Sequence, residues 1–196
     1  FPPNSRVIGL EGEMTALRYL QQSEALGLNA QPINADTAEV RSAAIAESVA
    51  QGHPTYITRE LPGIETSYDF SGEGVLVRVW RKDTAQLQPL AQSVTIDVAK
   101  ERLRLIGYDL HRLDQAGGTA WQLSLDWQAE RPIEESLKFS LRWLAADGSP
   151  LLLPDGAQGQ DEFPLRQVIP TQYWQVGKTM RDVQIVRLPA QLRQSA

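Results

Sequence analysis

Few residues in this chain are placed to do chemistry. The segment Gly9-Leu10-Glu11-Gly12-Glu13 stands between an apolar run at 6–10 and a stretch of helical spacing. Nucleotide-binding folds keep a phosphate loop at such a junction, because a helix N-terminus attracts anions and glycines let the backbone approach. Here Glu11 and Glu13 occupy the place of the pyrophosphate and would repel it, and neither a full GxGxxG nor a GxxxxGKS/T pattern is present. Glu13 is read as a favourable charge on a helix N-terminus. The two histidines are His53 and His111. His53 reads as a surface residue of a helix-to-strand loop. His111 shares a strand face with Asp109 but has no second histidine in register, so no metal ligand is assigned. Asp147, Asp155, Asp161 and Glu162 cluster around a long loop, and oxygen ligands of that kind can hold calcium. EF-hand spacing is absent, however, and Asp147-Gly148 is also an ordinary turn dipeptide. Tyr173 and Trp174, in the turn Pro170-Thr171-Gln172-Tyr173-Trp174, are the aromatic residues best placed to stack on a sugar, each offering an apolar face with a polar handle. The chain has no cysteine, which excludes thiol catalysis, disulfides and thiolate metal sites. The residues assign no catalytic group, no cofactor and no metal.

The elements that must position these residues follow from composition and period. A length of 196 residues allows one large or two small domains. Apolar content of 42% and charged content of 22% are those of a folded chain. The net charge of −5, with signs interspersed, offers no basic face for a phosphate backbone and speaks against nucleic acid as a partner. No apolar run approaches the roughly 18 residues of a membrane span, and no signal peptide is visible. The chain opens on Phe1-Pro2-Pro3 without a methionine and reads as a piece of something longer.

In order, residues 6–10 predict a buried strand, and Met14, Leu17 and Leu20 predict a helix to about residue 26. A weak strand follows at 30–34, and then a helix capped by Asp36 or Thr37. Residues 54–58 give a third strand, β-branched and aromatic. This order implies βαβ units and a parallel, Rossmann-like α/β layer over residues 1–83. Runs at 64–70 and 75–80 suggest a hairpin that extends the sheet. The charged segment 81–86 marks a boundary. Residues 87–196, strand-like throughout with frequent turns, predict an antiparallel β-sandwich. The expected fold class is therefore an α+β two-part chain. Its best core signal lies in 121–148. Trp121, Leu123, Leu125 and Trp127 fall on one face of one run, and Leu137, Phe139, Leu141 and Trp143 on one face of a second. That alternation predicts two half-buried antiparallel strands with Trp127 and Trp143 buried close together.

Several stretches, taken in order, resemble a known family. They are Leu123-Ser124-Leu125-Asp126-Trp127-Gln128-Ala129, Pro132, the run 137–141, Asp147-Gly148, Pro170-Thr171-Gln172-Tyr173-Trp174-Gln175-Val176-Gly177, Arg181-Asp182 and Leu188-Pro189. The pattern resembles the C-terminal soluble β-domain of bacterial polytopic glycosyltransferases of the dolichyl-phosphate-mannose protein mannosyltransferase type. Phe1-Pro2-Pro3-Asn4-Ser5, residues 16–21 and Gly52-His53-Pro54-Thr55-Tyr56-Ile57-Thr58 look like the segment that follows the last membrane helix in such proteins. The resemblance covers nearly the whole chain and rests mostly on turns and core tryptophans. Lys178 departs from it, standing where the family often has Glu, and the family's closing strand has no counterpart before Ala196. The family's catalytic acid lies in a loop between membrane helices, and no residue here matches it. The resemblance implies a non-catalytic extracytoplasmic domain at the face of the cell membrane. Its partners would be the membrane-embedded remainder of the same polypeptide and a glycan or acceptor protein. Two other readings stay open. One is a stand-alone carbohydrate-binding module using Tyr173, Trp174, Asp155, Asp161 and Glu162. The other is a small α/β enzyme with a site near Glu11 and Glu13.

Overall fold

The computed structural model describes residues 1–100, 102–115, 118–186 and 188, with backbone alone at 114, 115 and 118–120. The chain divides into two compact units: Phe1–Gln88 with Gln167–Ile169, and Pro89–Arg166 with Pro170–Ala196.

In the first unit, strands β1 (Ser5–Gly9), β2 (Ala30–Asn34) and β3 (Thr55–Ile57) alternate with helices α1 (Glu11–Ser23) and α2 (Ala38–Ala50). Two further strands, β4 (Tyr68–Glu73) and β5 (Leu76–Arg81), form a hairpin. β1 pairs in parallel with β2 and β3, whereas β5 joins β3 antiparallel, giving the order β2-β1-β3-β5-β4. Val7 and Ile8 of β1, Tyr56 and Ile57 of β3, and Met14 of α1 are buried in its core. The helix starts have distinct local causes. Thr37 caps α2 by accepting a hydrogen bond from the Val40 N–H at 3.4 Å. At α1 the capping position is Leu10, which has no side-chain acceptor. Glu13 instead reaches back and accepts from the Leu10 N–H at 3.1 Å, which is one half of a capping box.

The expected Rossmann-like layer is corrected here. Among the described residues the chain is mostly β, 39% strand against 20% helix of all kinds, with two α-helices, and its first sheet is mixed, with only three parallel strands. Each added parallel strand needs a crossover of a dozen or more residues, usually a helix. After β3 the sequence supplies a tight hairpin instead, so β5 and β4 complete the sheet antiparallel.

The second unit contains β6 (Gln92–Val98), β7 (Leu103–Gln115), β8 (Gly118–Ala129) and β11 (Thr179–Val186), an antiparallel sheet in the order β11-β8-β7-β6. A separate two-stranded sheet pairs β9 (Phe139–Leu141) with β10 (Gln160–Glu162). The two runs of the 121–148 stretch are thus not hydrogen-bonded neighbours. β8 pairs with β7 and β11, and the second run contributes only three strand residues, to the other sheet. Nor is β8 half-buried. Leu123 and Trp127 are buried on one face, and Ser124 and Asp126 are buried on the other. Asp126 tolerates burial because Arg181, opposite it in register, donates to both carboxylate oxygens at 2.8 and 2.7 Å. The expected Trp127–Trp143 pair is also corrected. The ring beside Trp127 is Phe139, at 4.6 Å between centroids. Trp143 is half-buried against a cluster of Leu123, Val186 and Leu188.

Candidate functional site

The β1–α1 turn carries the greatest concentration of polar groups at the ends of the parallel strands. One carboxylate oxygen of Glu13 accepts from the Leu10 N–H and from the Thr58 hydroxyl, at 3.1 and 2.6 Å. The other oxygen faces the Arg59 guanidinium at 2.7 Å. Asp36 accepts from the Glu11 N–H at 2.8 Å. Gly9 is a glycine because a Cβ there would collide with the Thr58 hydroxyl and with Glu13. The glycine makes room for the chain's own side chains. An anion approaching this turn meets Glu13 and Asp36 already bonded to the helix-start amides it would need.

Across the neighbouring hairpin lies a network that local periodicity did not reveal. The Tyr56 hydroxyl donates to Glu73 at 2.6 Å, Arg78 donates to the other oxygen of Glu73 at 2.8 Å, and the Arg78 guanidinium lies 3.7 Å over the Trp80 ring. The Trp80 indole N–H donates to Ser71 at 2.8 Å. Burial, with the Glu73 hydrogen bond second, pushes the Tyr56 phenol well above its usual range. The signal for this network was the alternation Arg78, Trp80 on β5 facing Ser71 and Glu73 on β4. It becomes readable only once the hairpin register is known.

The acidic residues of the long loop serve local turns and pairs. Asp147 accepts from the hydroxyl and the N–H of Ser149 at 2.7 and 2.9 Å, which holds its carboxyl below the usual range. Asp155 accepts from the Ala157 N–H at 3.1 Å. Asp161, on β10, accepts from the Ser140 hydroxyl at 2.7 Å and from Arg142 at 2.9 Å. Those two partners, the hydroxyl first, lower its carboxyl. Glu162 is exposed beside it, opposite Phe139. Among the described residues no group of three His, Cys, Asp or Glu is arranged to hold a metal ion. His111 Nδ1 lies 3.5 Å from Asp109 on an exposed strand face. The His53 N–H closes the end of α2 on the Ser48 carbonyl at 3.0 Å.

Trp174 requires correction. It is 4% exposed and so offers no face to a sugar, while Tyr173 is half-buried. The residues Thr171–Tyr173 form a single 3₁₀ turn, pinned by the buried Thr171 hydroxyl. That hydroxyl accepts from the Leu137 N–H at 2.7 Å and donates to the Glu135 carbonyl at 3.0 Å. The turn leaves Trp174 on the inner side. Gly177 follows at φ +78°, a left-handed conformation that favours glycine, and its N–H reaches the Ala129 carbonyl at 2.9 Å. Asp182, 1% exposed, accepts from the Leu165 N–H at 2.8 Å and from Gln184 at 2.7 Å. Burial pushes its carboxyl upward against those hydrogen bonds. Leu165 and Arg166 sit at φ +49° and +51°, so Asp182 pins a turn whose backbone is strained by roughly 1–2 kcal/mol per residue.

The second unit also holds a cleft of about 410 Å³ between the face of its four-stranded sheet and residues 137–141. Its walls are mostly apolar: Leu105, Leu125 and Trp127 on the sheet side, beside the buried Gln184, and Leu137, Phe139 and Leu141 opposite. Lys138 and Ser140 stand exposed at its rim. The strand-face alternation singled out Leu125, Trp127, Leu137, Phe139 and Leu141, but as filled core and not as the walls of an opening. Comparison with protein-family models, with curated proteins and with solved structures finds no match for this chain.

Proposed function

We propose that the chain is a non-catalytic extracytoplasmic domain of a membrane glycosyltransferase-like protein, packing beside the membrane-embedded remainder of the same polypeptide and holding a glycan or acceptor protein. One observation carries this reading. The residues on which the family resemblance rests form the framework of the second unit. Trp127 packs against Phe139, Thr171 ties residues 135 and 137, Arg181 neutralises Asp126, and Asp182 braces the turn at Leu165. A recurring pattern made of braces is what a conserved scaffold leaves in a sequence, whereas a reaction centre would leave groups converging on open space. The burial of Trp174 takes away the best anchor of the carbohydrate-module reading. The bonded state of Glu13 does the same for the small-enzyme reading.

The test is topological and biochemical. The complete gene product is expressed with a specific protease site placed just before Phe1, and membranes are prepared in both orientations. The expected result is membrane-bound protein whose released fragment appears only when the extracytoplasmic face is exposed to protease. The purified chain, given a polyprenyl-phosphate-linked mannose donor and acceptor protein, should transfer no sugar. Recovery of the complete protein in the cytoplasm, or transfer by the isolated chain, overturns the proposal.

A further inference from the structure

We infer that the cleft of the second unit is a binding site for a single-chain anionic amphiphile of the fatty-acid class. Its volume of about 410 Å³ lies within the roughly 300–1,000 Å³ of small-molecule sites. Sheets stacked face to face normally interdigitate and exclude such space. Here β7 and β8 run for 13 and 12 residues, while β9 above them has three. The short strand leaves apolar surface open. The stripe Leu123, Leu125, Trp127 extends about 13 Å along β8 at strand spacing, a run suited to an extended alkyl chain.

The polar groups define the other end of the ligand. The Lys138 ammonium stands at the rim, 5.7 Å over the Phe163 ring, where it would meet a carboxylate. The nearby acid, Asp161, accepts from Ser140 and Arg142 and also feels the charge of Lys138, so an incoming carboxylate shares the Lys138 ammonium with it. Inside, Trp127 lines the cleft and is 8% exposed, so its fluorescence reports on an occupant. A sugar fits poorly. Its hydroxyls would lie against leucine and aromatic walls and lose their hydrogen bonds to water without replacement. This site is separate from the glycan-holding role proposed above, and the inference does not depend on it.

The experiment titrates the purified chain with stearate brominated at mid-chain, a quencher of tryptophan fluorescence, below its micelle-forming concentration. Saturable quenching that unlabelled stearate competes away is expected. Trp127→Phe should reduce the amplitude of quenching. Leu105→Phe, which fills the cleft while keeping its wall apolar, should weaken binding at least about tenfold with the circular dichroism spectrum unchanged. Lys138→Gln should weaken it about threefold, the scale of an exposed ion pair, and a neutral alkyl maltoside should show no such dependence on residue 138. Quenching that never saturates, or that Leu105→Phe leaves intact, overturns the inference. So does sedimentation showing a dimer that excludes stearate from the cleft, which would make a second copy of the chain the occupant.

Discussion

The β1–α1 turn of the first unit and the β8–β9 cleft of the second are opposites in how they treat polar groups. At the turn, the Glu13 carboxylate is met by Leu10, Thr58 and Arg59, and the Glu11 N–H by Asp36. In the cleft the walls are mostly apolar, and the buried Gln184 that lines them is held by Asp182. The turn looks like a site in the sequence and is closed in three dimensions. The cleft looks like core in the sequence and is open. Residue types with catalytic potential therefore say little until the partners that satisfy them are known.

The contrast breaks most easily at Trp127. Trp127→Ala removes a buried ring packed against Phe139 and should cost about 3–5 kcal/mol. Trp143→Ala, from a half-buried position, should cost about 1–2 kcal/mol. Urea unfolding followed by circular dichroism measures both, and equal losses would mean that the cleft wall is no better packed than its edge. Asp182→Ala should cost about 2–4 kcal/mol, because it leaves the Leu165 N–H buried and unpaired beside a strained turn. Asp182→Asn keeps an acceptor and should cost less.

That aspartate also predicts a pH dependence. Its carboxyl is raised in the folded chain by burial, so the native state binds the proton more tightly than the unfolded one. The stability it contributes is fully present below the unfolded value of about 4. It is lost as pH rises through the folded value. The stability of Asp182→Asn relative to the parent should therefore improve as pH rises across that window. A difference independent of pH would contradict the buried, protonation-linked role. At the other end of the scale, Glu13→Ala should cost about 1 kcal/mol, the size of a helix-start interaction, because its Arg59 partner is half exposed. Tyr173→Ala should have the smallest effect, within about 1 kcal/mol by the same unfolding measurement.

How much of this was legible follows from the range of each interaction. The alternation of strands and helices over residues 5–57 could be read from local period, since Val7, Ile8 and Met14 carry it within a few positions. Its assignment to a Rossmann-like layer could not, because the antiparallel pairing of β5 with β3 is a choice between distant segments. The same limit hid the Glu13–Thr58 bond, 45 residues apart, and the Asp126–Arg181 pair, 55 apart. It also misplaced the run at 137–143. Alternation states which side chains share a face but not which sheet receives the strand. Trp174 was misread for a different reason: turn residues suggest the surface, and nothing local shows that the Thr171 hydroxyl fixes the turn with the indole inward.

The first strand-to-helix turn is closed and the second unit's cleft is open. The most direct test is a set of NMR titrations of the isotope-labelled chain with a nucleoside diphosphate, a mannose oligosaccharide and laurate in parallel. Laurate alone should shift backbone resonances, at 103–105, 123–127 and 137–141, and the amides of 9–14 should stay still with all three. Saturable shifts at 9–14 and 58–59 on adding the nucleotide, with the cleft unmoved by laurate, would contradict that contrast.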